Sequence, residues 1–155
     1  MAISEYYKKL REQVGSEVIF VPSVAAIIRN EHNEILFIRK GSETIWGLPA
    51  GAIEIGETPS ESIVREVYEE TGLSVQPEKI IGVFGGDKYK YVYSNGHQVE
   101  YLIIVFECTI VNGELHAIDD EVEEQRFFKN DDIPEIAIQY PSEMYMKELS
   151  KTLFE

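Results

Sequence analysis

The sequence predicts an α/β fold, a sandwich of helices around a mixed sheet, and three observations carry that expectation. Stretches with helical periodicity fall at the start, the middle and the end of the chain, over 3–14, 59–71 and 142–154. Between them lie runs rich in Val, Ile and aromatic residues, which is strand composition. Asn95-Gly96 and Asn112-Gly113 mark tight turns between such runs, so hairpins sit beside one central αβ connection. A chain of 155 residues reads as one domain, large enough to bury a core.

In order, Ser4 caps a first helix with Tyr7, Leu10 and Val14 as its apolar stripe, and Gly15 stops it. Val18 to Ile28 reads as a buried strand. A turn at Asn30-Glu31-His32-Asn33 and a second strand, Glu34 to Arg39, make a hairpin with it. Arg39 and Lys40 close that strand ahead of the Gly41-Ser42-Glu43 loop, and Trp46, the only tryptophan, reads as a packing residue. Pro49 to Gly56 is a Gly-rich loop whose backbone can pass close to a ligand. The helix over 59–71 has its ends written in: Thr58 as N-cap, Pro59 at N1, Glu61 completing a capping box, and Gly72 after the last turn. Lys79 to Gly85 is the next strand. Tyr89, Tyr91 and Tyr93 alternate along another, and Val99 to Val111 returns as a long apolar strand buried on both faces. The acidic run Asp119 to Glu124 leads into a strand at Gln125 to Phe128. A short helix starts at Asp131-Asp132-Ile133-Pro134, and Ser142 caps a C-terminal helix with Tyr145, Leu149 and Leu153 inward.

The central helix carries the chemistry. Glu66, Glu69 and Glu70 fall at i, i+3 and i+4, within about 60° of one another on the helical wheel. Ile63, Val64 and Val67 point roughly 60–160° away, so one side reads as core and the other as a carboxylate cluster. Each pair of such charges at about 6 Å repels by roughly 3 kcal/mol at an effective dielectric near 20. A solvated acidic face is the plain reading. Against it, Glu61, Arg65 and Glu69 form i,i+4 partners on one flank only, leaving Glu66 and Glu70 without a cation in the helix register. The cluster also adjoins the Gly-rich loop, whose carbonyls can join it. Oxygen-only ligands with open positions suit Mg²⁺ or Mn²⁺.

The net charge of −14 argues against a nucleic-acid polymer as partner and sets a barrier for any anionic substrate, one that bound divalent ions would lift. The lone Cys108 cannot form an intrachain disulfide and fits a reducing compartment. No long apolar span and no signal peptide are seen, so a cytoplasmic protein without membrane contact is expected. His32, His97 and His116 lack metal-ligand spacing, which argues against zinc.

The pattern Gly51, five residues, Glu57, seven residues, Arg65-Glu66-Val67-x-Glu69-Glu70-x-Gly72-Leu73 resembles the Nudix box at every defined position. The family usually has Pro-Gly-Gly where this chain has Pro49-Ala50-Gly51. The resemblance implies a Nudix-like α/β/α sandwich around a mixed sheet and Mg²⁺-dependent (or Mn²⁺-dependent) hydrolysis of a diphosphate linkage in a small nucleotide. It implies metal ligation by the Gly51 carbonyl, Glu66, Glu69 and Glu70. The general base would be Glu66 or Glu124, with Glu121 next, and Glu57 would support the loop or an outer metal water. Arg65, flanked by i,i+4 partners, is expected to orient the carboxylates. Arg39 is expected beside a substrate phosphate. Tyr89 lies 16 residues past Leu73, where some dinucleoside-polyphosphate-cleaving relatives carry a Tyr. The proline that ADP-ribose-cleaving relatives place nearby is absent. ADP-ribose or nucleotide sugars, dinucleoside polyphosphates and nucleoside triphosphates all stay open as substrates. The competing readings are a catalytically silent, nucleotide-sensing domain and an interaction domain. Apolar helices at both termini leave a homodimer open.

Overall fold

The computed structural model describes residues 4–41 and 44–155, so the expected helix start at Ile3 and Ser42-Glu43 of the following loop lie outside the described residues. In chain order the elements are α1 (Glu5–Val14), β1 (Ile19–Ile28), β2 (Ile35–Lys40), β3 (Trp46–Gly47), β4 (Ala50–Ala52), α2 (Pro59–Thr71), β5 (Leu73–Phe84), β6 (Lys90–Val92), β7 (Gln98–Gly113), β8 (Val122–Phe128) and β9 (Leu153–Phe154). Short 3-10 turns cover Asp87–Tyr89 and Ser142–Tyr145.

Alternation in β1 organises the packing. Val24, Ala26 and Ile28 enter one apolar cluster while Ala25 and Ile27 enter another. A strand buried on both faces needs partners on both edges, and β1 has them: β7 runs parallel from Ile19↔Val99 to Ile28↔Cys108, and β4 runs antiparallel. The larger sheet has the order β4-β1-β7-β5-β9 with β6 on β7; a smaller antiparallel sheet has the order β3-β2-β8. The α/β class and the mixed sheet are therefore as expected. Helix α2 lies over the cluster that holds Val24, with Ile63 and Val67 packed into it. The stripe Tyr7, Leu10 and Val14 seats α1 on Ile19, Val21 and Val99, and the Tyr7 hydroxyl donates to Ile53 O at 2.7 Å.

The ends of α2 are made as its sequence dictates. Thr58 Oγ1 accepts from Glu61 N–H while the Glu61 carboxylate accepts from Thr58 N–H, and Gly72 takes the left-handed cap with φ 77°. The carbonyls of the last turn are claimed by the segment that precedes β8. His116 N–H donates to Thr71 O at 2.8 Å, and Ile118 and Asp119 N–H both donate to Glu69 O at 3.0 and 2.8 Å. Gln125 Nε2 donates to Glu70 O at 2.7 Å.

Asn112-Gly113 make no tight turn but end β7, paired with Ser74 and Leu73, and five further expectations need correction. The turn at Asn30–Asn33 forms, with Asn30 N–H on Glu34 O, but β1 and β2 share only the Arg29↔Ile35 bridge and then enter different sheets. Tight-turn chemistry is local, whereas the partners of β2 are chosen by burial of Ile35 to Ile38 against β3 and β8. Strand β5 starts at Leu73 rather than Lys79, because register shifts absorb Pro77. Tyr89 ends a 3-10 turn instead of lying on the tyrosine strand. No helix starts at Asp131; the chain stays open, and Trp46 exchanges backbone hydrogen bonds with Glu135 and Ala137. The C-terminal helix over 142–154 is replaced by the turn at Ser142–Tyr145 and an irregular run ending in β9. Met144 and Tyr145 are both buried, and Leu153-Phe154 pair with Gly82-Val83, so edge pairing outweighs helix propensity.

Candidate active site

Helix α2 presents its buried stripe as Ser62, Ile63, Glu66, Val67, Glu70 and Thr71, while Val64 is exposed. The expected division into a core side and a carboxylate side is thus wrong: Glu66 and Glu70 share the inward face with Ile63 and Val67. Both carboxylates have zero exposure. They are held against the loop and β4, whose short antiparallel pairing with β1 brings Ala50 and Gly51 under the helix.

Each carboxylate has a separate set of partners. Glu70 Oε1 accepts Ala50 N–H at 2.9 Å, and Glu70 Oε2 lies 2.6 Å from Lys40 Nζ. Glu66 Oε1 accepts Arg65 Nη1–H at 2.8 Å; its Oε2, fully buried, has no hydrogen-bond partner. The Glu66 carboxylate rests directly on Gly51, where a Cβ would overlap it. Burial first, then the charge on Glu70, pushes the Glu66 carboxyl up to about 8 against the pull of Arg65. Burial likewise raises Glu70, opposed by Lys40. Burial works against the charge on Lys40, yet Glu70 holds its ammonium above the ordinary lysine value.

Arg65 braces this cluster, meeting one of its two expected i,i+4 partners, Glu69, but not Glu61. Nε and Nη2 grip both oxygens of Glu57 at 2.6 and 2.9 Å, Nη1 reaches Glu66 and, at 3.3 Å, Glu69, and Nη2 reaches Ala52 O at 3.2 Å. Glu61 is engaged in the capping box instead. Glu57 also accepts Glu54 N–H, so it ties the loop to the helix, and the Arg65 guanidinium holds its carboxyl below the usual range. The helix register indeed gives Glu66 and Glu70 no i,i+4 cation, yet both find one outside it: the adjacent Arg65 serves Glu66 and Lys40, from β2, serves Glu70.

The remaining expected residues scatter. Glu69 is partly exposed and turned to Arg65. Glu124, across the sheet register from Arg39, bonds to Arg39 and Arg126; among the described residues no hydrogen bond or ion pair joins it to Glu66 or Glu70. Arg39 also donates to Gly41 O at 3.0 Å. From the acidic run it is Glu121 and Asp119 whose charges reach Lys40 and Glu70. Tyr89 is 2% exposed, stacked on Phe84 within the cluster of Ala25 and Ile27, while α2 packs on the other one. It is not brought to the carboxylates. Lys40 is the participant that the sequence reading passed over. Counting by twos from Leu36, which packs beneath α2, puts Lys40 on the helix side of β2, and that period was available.

Do these residues fit a divalent ion? Two buried carboxylates supply hard oxygen donors, and an orphaned buried oxygen costs about 1–3 kcal/mol unless something satisfies it. Glu66 Oε2 is such an oxygen. The set therefore fits an ion at Glu66 and Glu70. It is not a finished cage: among the described residues, no three acidic, histidine or cysteine side chains converge as they stand. No helix among the described residues is long and apolar enough to cross a membrane.

Comparison with known proteins agrees with this architecture. The NUDIX domain family matches residues 19–147. An ADP-ribose pyrophosphatase of Methanocaldococcus jannaschii is 35% identical over 123 residues, 77% of this chain and 69% of that protein. A putative ADP-ribose pyrophosphatase of Bacillus subtilis is 30% identical over 105 residues, 68% of this chain; the match spans 49% of that protein's length. Among solved structures, a UDP-X diphosphatase superposes with a TM-score of 0.72 at 23% identity, covering 100% of this chain and 76% of that one, a likeness of fold.

Proposed function

The chain belongs to the Nudix hydrolase family, and on that premise we propose that it cleaves the diphosphate linkage of a nucleoside diphosphate joined to a second moiety, with ADP-ribose and nucleotide sugars the leading class. The names of its relatives favour that class over dinucleoside polyphosphates and nucleoside triphosphates. The observation that carries the reading is the inward pair Glu66 and Glu70: Glu66 lies against Gly51 with a buried oxygen that no hydrogen bond satisfies, and the corresponding oxygen of Glu70 is met only by the Lys40 ammonium.

Glu66 and Glu70 would hold Mg²⁺ or Mn²⁺, with the Gly51 carbonyl beside them and Glu69 joining if it leaves Arg65. Such an ion, when bound, neutralises phosphate oxygens and acidifies the attacking water. Arg65 keeps Glu66 oriented and ties it to Glu57 and the loop. Glu66, held in place by Arg65 and turned inward beside Glu70, is the proposed group to take a proton from water. Glu124 is turned to Arg39 and Arg126, whereas the charge of Glu121 reaches Lys40 beside Glu70, which makes Glu121 the second candidate. Arg39, at the end of β2 next to Lys40, remains the proposed phosphate contact. We place the protein in the reducing cytoplasm on the strength of its buried free thiol, Cys108. A homodimer would need surface other than the α1 stripe, which packs within the chain.

Incubation with ADP-ribose, UDP-sugars, dinucleoside polyphosphates and nucleoside triphosphates, with Mg²⁺ and product identification, tests the proposal. Hydrolysis of a sugar-linked diphosphate to a nucleoside monophosphate and a sugar phosphate is expected. Glu70→Gln keeps the acceptor for Ala50 N–H and should lower turnover about 100-fold or more with little change in unfolding midpoint. Unchanged turnover in that variant removes the metal assignment, and nucleotide binding without turnover in the unmutated protein returns the sensing reading.

A further inference from the structure

Lys40 occupies an unusual place for a strand-end lysine. Its ammonium touches Glu70 Oε2 at 2.6 Å, yet 37% of its side chain remains exposed. The two cations of the pocket are fastened very differently. Arg65 is anchored to Glu57, Glu66, Glu69 and Ala52 O, and it cannot leave without releasing all of them. Among the described residues Lys40 has one ion pair, made from a flexible stem with a route to water.

A divalent ion held by Glu66 and Glu70 would have to share Glu70 Oε2 with this ammonium. Two cations at contact distance in a partly desolvated pocket repel strongly, and the ion has the higher charge. Glu70 is fixed through Ala50 N–H and cannot follow either partner outward. Lys40 is the group free to move.

We propose that Lys40 is a displaceable counter-ion: it neutralises Glu70 in the metal-free protein and is expelled towards solvent when a divalent ion takes Glu66 and Glu70. The proposal rests on the divalent-ion reading of the site. It gives Lys40 two opposed effects, supporting the fold without metal while weakening metal affinity. It also releases a positive charge beside the ion only when the ion is present, where an incoming diphosphate can meet it.

The test uses the intact protein and Mn²⁺. Amine acetylation followed by mass spectrometry reads the accessibility of each lysine, with and without saturating Mn²⁺. Lys40 should be modified about fivefold faster with the ion, the change expected when one ion pair is released, while Lys79 and Lys147 keep their rates. Titration calorimetry of Lys40→Met should show Mn²⁺ bound about tenfold more tightly than by the unmutated chain, because one like charge is gone. Its metal-free melting midpoint should fall. A Lys40 rate unaffected by Mn²⁺, or an affinity unchanged or weaker in Lys40→Met, overturns the proposal while leaving the metal site standing. No Mn²⁺ uptake by the unmutated protein overturns both together. Should Lys40→Met fail to fold, the acetylation comparison decides alone, since it needs no substitution.

Discussion

Gly51 leaves no room for a side chain beside Glu66. The Glu66 carboxylate lies where a Gly51 side chain would begin, so Gly51→Ala must push the carboxylate aside or tilt α2. Since Glu66 is also tied to Arg65, the methyl group should lower activity about 100-fold and destabilise the fold by about 2 kcal/mol. Steady-state rates and urea unfolding of that variant check both. A variant as active as the parent would mean that the carboxylate can work from another position. Gly51 was singled out in the sequence by its place in the motif, as a carbonyl donor. Its steric reason was not legible, because nothing in a linear pattern tells which helix side chain lands on which loop atom. Lys40 was legible and passed over, whereas the separation of Glu124 from the cluster depends on the register of β2 with β8.

Helix α2 illustrates what local sequence decides. Its limits at Pro59 and Thr71 agree with expectation because the capping box and Gly72 act within one turn of chain. Thr58→Ala removes the acceptor for Glu61 N–H and should cost about 1 kcal/mol, read as a lowered urea midpoint with an unchanged slope. Activity should survive, since Arg65, Glu66 and Glu70 lie beyond the first turn. A loss of activity larger than the loss of stability would mean that the cap also sets the aim of Glu66. The C-terminal segment shows the opposite case. Tyr145, Leu149 and Leu153 do form an inward set, but the turn, the irregular run after it and β9 pack them without a helix. The edge of β5 offers backbone partners that a solvated helix lacks, and that offer is invisible from composition.

Across the molecule, the core was legible as residues but not as a topology. Val18 to Ile28 reads as buried, yet only the structure reveals that its long partner is β7, in parallel, from the other side of α2 in sequence. Cys108 lies in that partnership and links core packing to pH. Burial first, then Glu107 and Glu78, pushes its thiol from 9.0 up to about 12. A folded value above the unfolded one stabilises the protonated native state, so the contribution is intact below pH 9 and is lost as pH rises towards 12. In the intervening window the loss approaches about 1.4 kcal/mol per pH unit. The stability difference between the parent and Cys108→Ala should shrink by that slope between about pH 9.5 and 10.5, measured by urea unfolding. A difference that stays constant would place the thiol in contact with water. The segment before β8 has a different consequence. Although acidic and largely exposed, it aims the amides of His116, Ile118 and Asp119 at the terminal carbonyls of α2. Those amides should therefore take up deuterium as slowly as the helix itself, making a surface loop the reporter of whether the last helical turn has frayed.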